Sequence, residues 1–490
     1  MSVRARDMTQ SSRRYHDYRG AGLRLGEPLA PDLAAGLPVF ARVGPLGVGV
    51  HAFDLAQVIV LLEAGLISRP EARRMRDALR RLEPGVVSAR DRLGGGLHSG
   101  ERLLVRRLGL QLGGRLHTGR SSWDVETAAT RFVLRDVVLD VIVGLLDWRE
   151  ALLRTARNHV RTVMPFFTHG QIAAPTTFAH VLHAHAAAAS RHTGRLFDAY
   201  RRINVSPAGA AAGVGAPFGL SDRRLAVLLG FDRVQPNTLD AVHSQDDILE
   251  LLAAMASVAR SLESFGTDLV LWSGERLQYV KLADRHCHTS SIMPQKRNPE
   301  GGMQLQAVGR FAVSRLTGGS AADLWEVVDR VQMGLRVARA VLAGLRVNRM
   351  RMRDDLVQSW ACATMVAASL VRWYGLAWRE AHQIVGLAVR TAEARGESAP
   401  SGRTCGDLRR AARELLHVDL AISESVVAKS LSPERVVAAH RSAGGPAPRS
   451  MARAVTAGLA LVQRDRAVVR RLRARVIRAA ARLRRALDAL

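Results

Sequence analysis

Apolar residues recur every three to four positions along three long proline-free stretches, a period that predicts helices. Between Pro84 and Pro165 the run 123–160 (WDVETAATRFVLRDVVLDVIVGLLDWREALLRTARNHV) keeps this spacing throughout, and residues 238–275 and 301–345 read the same way. Proline breaks helix interiors, so its absence permits long uninterrupted elements. A helix over 123–160, 38 residues, is about 57 Å long. Helices of that length must bury their apolar faces against one another, which predicts a bundle formed between subunits. The flanks differ. Residues 26–50 carry many Gly and Pro, residues 94–96 are all glycine, and Ser432-Pro433 and the GGPAP run at 444–448 mark loops. The stretch 464–490 holds ten Arg against two Asp in an Ala/Leu/Val background. It reads as a solvated amphipathic helix packing by its apolar stripe, with a nucleic-acid or membrane-surface tail as the alternative.

Composition narrows the class. The chain has 490 residues, 48% hydrophobic and 23% charged, with a mean hydropathy of +0.00, which excludes a disordered chain and implies several domains. Aromatics are only 5%, so the core is built from Leu, Val and Ala. Cys287, Cys362 and Cys405 are odd in number and far apart, which excludes a disulfide framework and points to a reducing, cytoplasmic setting. No apolar run is read as reaching the roughly 18–20 residues of a membrane helix, so no membrane partner is expected. The basic start lacks the apolar core of a signal peptide. Net charge is +27, yet 68 of the 71 cationic residues are Arg, the exceptions being Lys281, Lys296 and Lys429. That bias reads as nucleotide composition, and nucleic-acid binding is expected to be non-specific if it occurs.

Four polar clusters interrupt the helical runs. His117-Thr118-Gly119-Arg120-Ser121-Ser122-Trp123-Asp124 stands before a long helix, whose free N–H groups suit a carboxylate, or else Ser121 or Ser122 simply caps it. Phe167-Thr168-His169-Gly170-Gln171 places a histidine in what reads as a loop between two helices, either a general acid or a surface residue. Asn237-Thr238-Leu239-Asp240 reads as a capped helix start. Thr289-Ser290-Ser291-Ile292-Met293-Pro294-Gln295-Lys296-Arg297-Asn298-Pro299 cannot be regular helix between its two prolines. It suggests a mobile, anion-contacting loop. Lys296, one of three lysines among 71 cationic residues, hints that the compact ammonium is needed where a planar guanidinium will not serve.

SSIMPQKRNP at 290–299 closely resembles the signature of the fumarase/aspartase superfamily, and within it the chain is most similar to argininosuccinate lyases. LHTGRS at 116–121, FTHGQ at 167–171, RINVSPAGAAAGVGAPFG at 202–219, NTLDAV at 237–242 and LSPERVVAAHRSAGGPAP at 431–448 follow in the family's order. The resemblance implies an all-α, three-domain subunit. Its parts are a helical domain at 1–118 with a basic arm at 1–25, a long-helix domain at 119–365 carrying the reactive loop, and a helical domain at 366–490. Long central helices form a twenty-helix bundle in a homotetramer, each site drawn from three subunits. The implied reaction is β-elimination of fumarate from an N-succinyl, aspartate-type substrate, with no cofactor and no metal. Ser290 is the implied base, activated by local positive potential, and Lys296 and Asn298 bind carboxylate beside Ser291 and Met293. His169 assists proton delivery to the departing nitrogen, with Thr168 and Gln171 beside it. Thr118, Ser121, Ser122 and Trp123 occupy the succinyl-binding box. His180 and His185 also fall on family positions, so the His180/His183/His185 group is not read as a metal site, and His286-Cys287-His288 is too tightly spaced for one.

The chain departs from the pattern in its pocket. An Arg and an Asn of the family's box are here Ser122 and Trp123, the second glutamine after the THxQ motif is Ala174, and the glycine before the paired serines is Thr289. The segment at 95–102 lacks two acids that precede the family's histidine. The Tyr, Gln and Lys that recognise the arginine end of argininosuccinate are absent from 320–328. Three readings follow: a fumarate-releasing C–N lyase with another substrate, argininosuccinate lyase with a rearranged pocket, or a non-catalytic binding homologue. The presence of Ser290, Lys296, Asn298 and His169 together argues against the last.

Overall fold

The computed structural model describes residue 30 and residues 44–316 and 321–490, so the basic arm at 1–25 and Ser320 lie outside the described residues. Contacts divide the chain into two compact units. Unit 1 comprises residues 1–140, 196–250 and 468–490, and unit 2 comprises 141–195 and 251–467.

The expected long helices form, with breaks that local chemistry explains. α1 runs Gly47–Glu63, α2 Ser122–Arg157, α3 Phe178–Ile203 and α4 Asp246–Ser273. α5 spans Glu300–Ser314, α6 Ala321–Ala343 and α7 Pro448–Asp488. The stretch 238–275 is two helices rather than one: Thr238–His243 ends at Ser244, whose hydroxyl donates to Asp246 at 2.6 Å as α4 begins. The stretch 301–345 divides between α5 and α6. The Arg-rich segment at 464–490 is the C-terminal part of α7, a helix that begins at the Pro448 expected to lie in a loop. At 41 residues, α7 is the longest helix in the described chain.

Unit 1 has its own core around α1, packed by Met75, Leu79, Leu104, Val125, Leu225 and Leu229. α1 corrects one expectation: Gly44–Glu63 is long and apolar enough to cross a membrane, but 78% of that window is buried inside the fold. Fourteen of its residues are buried, among them a polar trio, His51, Asp54 and Gln57. In unit 2, Trp148 of α2 packs on Phe265 of α4 at 5.8 Å, and His185 of α3 donates to Asp268 of α4 at 2.8 Å. Helices from 363 to 430 in unit 2 enclose a further core that includes Leu370, Ile384, Leu408 and Val427.

Unit 2 also corrects the expected loop between helices at 167–171. β1, Val163–Thr168, and β2, Gln171–Thr177, form an antiparallel hairpin with His169-Gly170 as its two-residue turn.

Candidate active site

Within unit 1 the box at 117–124 folds as the start of α2. Asp124 accepts from Ser121 N–H at 2.8 Å, and Ser121 Oγ accepts weakly from Trp123 N–H at 3.4 Å, a reciprocal cap. The other Asp124 oxygen accepts the N–H groups of Gly209 and Ala211, both at 3.2 Å, which ties the glycine-rich segment at 209–215 to the box. Burial pushes the Asp124 carboxyl up to about 6, even though these donors and Arg120 pull the other way. Thr118 presents its carbonyl to the Gln57 side-chain amide at 2.8 Å.

Arg120 is buried and commits one nitrogen to Asp54. Its Nη1 donates to Asp54 Oδ1 at 2.6 Å, while Arg90 donates to Asp54 Oδ2 at 2.6 Å, and all three side chains are buried. Arg90 also donates to Ser99 Oγ and to His51 Nδ1. Burial opposes ionisation of Asp54, but the two guanidiniums hold its carboxyl below the usual range. Burial, helped by Arg90, depresses His51 to about 4, which leaves it neutral as the acceptor this contact requires.

The substituted positions Ser122 and Trp123 both have partners. Ser122 Oγ lies 2.9 Å from His98 Nε2. The Trp123 indole stacks on His243 at 5.3 Å and 15°, with half its surface still exposed. His98, Glu101 and His117 converge behind Ser122, a cluster absent from the site expected on sequence grounds. A signal for it existed in the His98–Glu101 spacing at the start of a helix, but the third member stands sixteen positions further on.

Within unit 2 the loop at 288–298 carries Ser290, Ser291, Met293, Lys296 and Asn298. Its ends are closed by two backbone bonds between His288 and Asn298, at 3.1 and 2.8 Å. Inside, Lys296 N–H donates to the Met293 carbonyl at 3.1 Å. Ser290 Oγ receives the N–H groups of Ile292 at 3.3 Å and Met293 at 3.2 Å. Two donors on one hydroxyl oxygen favour its anionic form, the electrostatic condition a serine base needs. Asn298 Nδ2 donates to His288 Nε2 at 3.1 Å, and His288 Nδ1 lies 2.8 Å from Glu300. Sequence reasoning missed this Glu300–His288–Asn298 chain. Ser291, Met293 and Lys296 are exposed, Met293 by 40%.

Thr168 and Gln171 pair across the hairpin end, and His169 stands exposed at its tip with φ +50°, followed by Gly170 at +77°. No hydrogen bond or ion pair joins this tip to the 288–298 loop among the described residues. His180 and His185 have separate partners: His180 contacts Thr176 Oγ1 and the Gly444 carbonyl, and His185 contacts Asp268.

Comparison with known proteins gives the family. A family described as lyase matches residues 98–312, and one described as argininosuccinate lyase C-terminal matches 360–438. The chain is 35% identical to argininosuccinate lyase of Methanoculleus marisnigri over 441 residues, 84% of this chain and 87% of that protein. It is 37% identical to the enzyme of Natronomonas pharaonis over 428 residues, 83% and 84% of the two chains. Among solved structures, an EDDS lyase variant with bound fumarate superposes with a TM-score of 0.86 at 27% identity, covering 94% of this chain and 95% of that one. A class II fumarase from Schistosoma mansoni shares the fold at TM-score 0.66 and 17% identity, over 80% and 91%. The all-α chain therefore belongs to the argininosuccinate lyase family, within the fumarase/aspartase superfamily, and is a carbon–nitrogen lyase.

Proposed function

We propose that the protein releases fumarate by β-elimination from an N-succinyl, aspartate-type substrate other than argininosuccinate. The observation that carries the reaction is Ser290, whose hydroxyl receives two backbone N–H groups at the head of the 288–298 loop. Ser290 takes the proton next to a carboxylate. Lys296 and Asn298 hold the developing aci-carboxylate, which needs positive charge and donors already in place. His169 delivers a proton to the departing nitrogen. The bond from carbon to nitrogen breaks as the double bond of fumarate forms, so electrons and protons balance without a redox partner. Thr118, Ser121, Ser122 and Trp123 contact the succinyl part. A neighbour named as an EDDS lyase variant, with fumarate bound, supports fumarate as the product.

Two observations favour a substrate other than argininosuccinate. Ser122 is engaged by His98 and Trp123 is stacked on His243, so neither offers the guanidinium and amide of the family's box. A site that has lost its polar partners discriminates against the ligand they served. Argininosuccinate lyase itself is the second reading, favoured by the names of the 35–37% identical relatives. The working form in this proposal is a homotetramer, each site drawing on three subunits. The exposed Leu271 of α4, Met303 and Val313 of α5 and Met333 of α6 support apolar contact along these helices. The self-contained core at 366–427 supports a domain boundary near residue 365.

The deciding experiment mixes the protein with argininosuccinate and reads fumarate by its ultraviolet absorbance, with Ser290→Ala as the blank. Absence of Ser290-dependent fumarate, together with fumarate addition to an amine panel in reverse, supports the first reading. Ser290-dependent fumarate from argininosuccinate replaces it with the second, and silence in both directions removes the lyase reading.

A further inference from the structure

His98, Glu101 and His117 of unit 1 place three potential ligand atoms within 4.8 Å of one another. His98 Nδ1 lies 3.6 Å and His117 Nδ1 3.3 Å from the same oxygen, Glu101 Oε2. Bonds of about 2.0–2.1 Å in tetrahedral geometry set neighbouring ligand atoms about 3.3 Å apart, so these spacings suit edges of a coordination polyhedron. The two imidazoles tilt together at 4.9 Å between ring centres. Their side chains are 12% and 32% exposed and that of Glu101 22%, a recess reachable from solvent.

The surroundings match a metal centre in two further respects. A ligating histidine normally anchors its other ring nitrogen, and His98 Nε2 does so on Ser122 Oγ at 2.9 Å. Arg120 contributes positive charge nearby, but Asp54 offsets that charge at 2.6 Å. Two imidazoles and one carboxylate form a borderline donor set suited to zinc or cobalt, with coordination positions left open.

We infer that His98, Glu101 and His117 bind a first-row divalent cation whose open position, beside Ser122, takes a substrate carboxylate. The second half rests on the N-succinyl reading above. The cation stands where the family's box carries an arginine and this chain carries Ser122, so a lost guanidinium is replaced by a held metal charge. This departs from the expectation of no metal drawn from the sequence.

The test titrates chelator-stripped, full-length protein with Co2+ and follows the visible d–d absorption. The site predicts saturation at one equivalent per chain. Glu101→Gln and His117→Gln weaken binding by at least the ~10–100-fold that loss of an outer-shell partner costs, whereas His382→Gln, an exposed histidine of unit 2, leaves it unchanged. A wild-type protein without d–d bands overturns the site whatever the variants do. So does cobalt binding that Glu101→Gln leaves as tight. Adding fumarate to the cobalt-loaded protein shifts the bands if the open position takes carboxylate, and bands that stay fixed overturn that role. Ser290-dependent fumarate release by the stripped enzyme is assayed separately, so the metal site and the elimination can fail independently.

Discussion

At the scale of single residues, His288 has one tautomer compatible with both its contacts. The Asn298 amide can only donate through Nδ2, so His288 Nε2 accepts, and Nδ1–H must donate to Glu300. Asn298 is thereby oriented by a side chain that is half exposed and contributes little to the core. His288→Ala should leave the unfolding midpoint unchanged while kcat/KM for fumarate formation falls by up to ~100-fold, the cost of a misplaced contact. Unaltered kinetics would show that Asn298 needs no such support. Asp54 is the opposite case, a buried carboxylate compensating two buried guanidiniums. Asp54→Ala should cost about 3–5 kcal/mol in chemical denaturation, because Arg90 and Arg120 are left as uncompensated buried charge. A loss below 1 kcal/mol would mean that water or a rearranged side chain takes its place.

At the scale of elements, the hairpin separates structure from chemistry. A two-residue type I′ turn requires positive φ at both positions, which His169 and Gly170 adopt. Asn tolerates that conformation at least as well as His. His169→Asn should therefore preserve the fold and its melting temperature while removing a general acid worth roughly 10²–10⁴ in kcat. A variant that melts early would assign His169 to the turn alone. The sequence concealed this hairpin because Pro165 and Pro175 read as breakers, whereas in the fold they face each other across the ladder, where neither has an N–H to contribute. α1 was concealed for another reason: it is apolar almost all round, so no amphipathic period marks it. α2 and α4 were legible from their period, and the 288–298 loop from its prolines and its resemblance. The partners of Arg120 and Ser122 come from segments distant in sequence, which no local pattern announces. Gly100, in the helix Ser99–Leu108, shows the same limit. Alanine normally favours a helix, yet a Cβ here would stand 2.0 Å from Asp54 Oδ2. Gly100→Ala should destabilise by about 1–3 kcal/mol through overpacking, and a stabilised variant in urea unfolding would contradict that packing.

At the scale of the whole molecule, the two units differ in their acid response. In unit 2, burial lowers His159 and His192 to about 4, assisted by Arg349 and by Arg195 and Arg191 respectively. Between pH 6.5 and 4 the unfolded chain binds protons that these folded histidines refuse, so stability is lost as the pH falls through that window. His183 and His286, also lowered first by burial, act in the same direction. For His192, 7% exposed, the loss approaches about 1.4 kcal/mol per pH unit. In unit 1 His51 and His98, both lowered first by burial, behave likewise, but Asp124, raised to about 6, acts in the opposite sense. Its folded form holds a proton between about 3.8 and 6 that the unfolded chain releases, so acidification through that range adds stability. Glu126, Asp136 and Asp247 are shifted upward by burial as well, and they reinforce the compensation within unit 1. Acidification from pH 6.5 to 4.5 should accordingly loosen unit 2 before unit 1. Hydrogen exchange corrected for intrinsic rates, compared between α3 residues 178–195 and α1 residues 47–63, reads the difference directly. Protection should fall in the α3 segment and hold in α1. Equal losses in both would mean that the buried carboxylates of unit 1 do not offset its histidines.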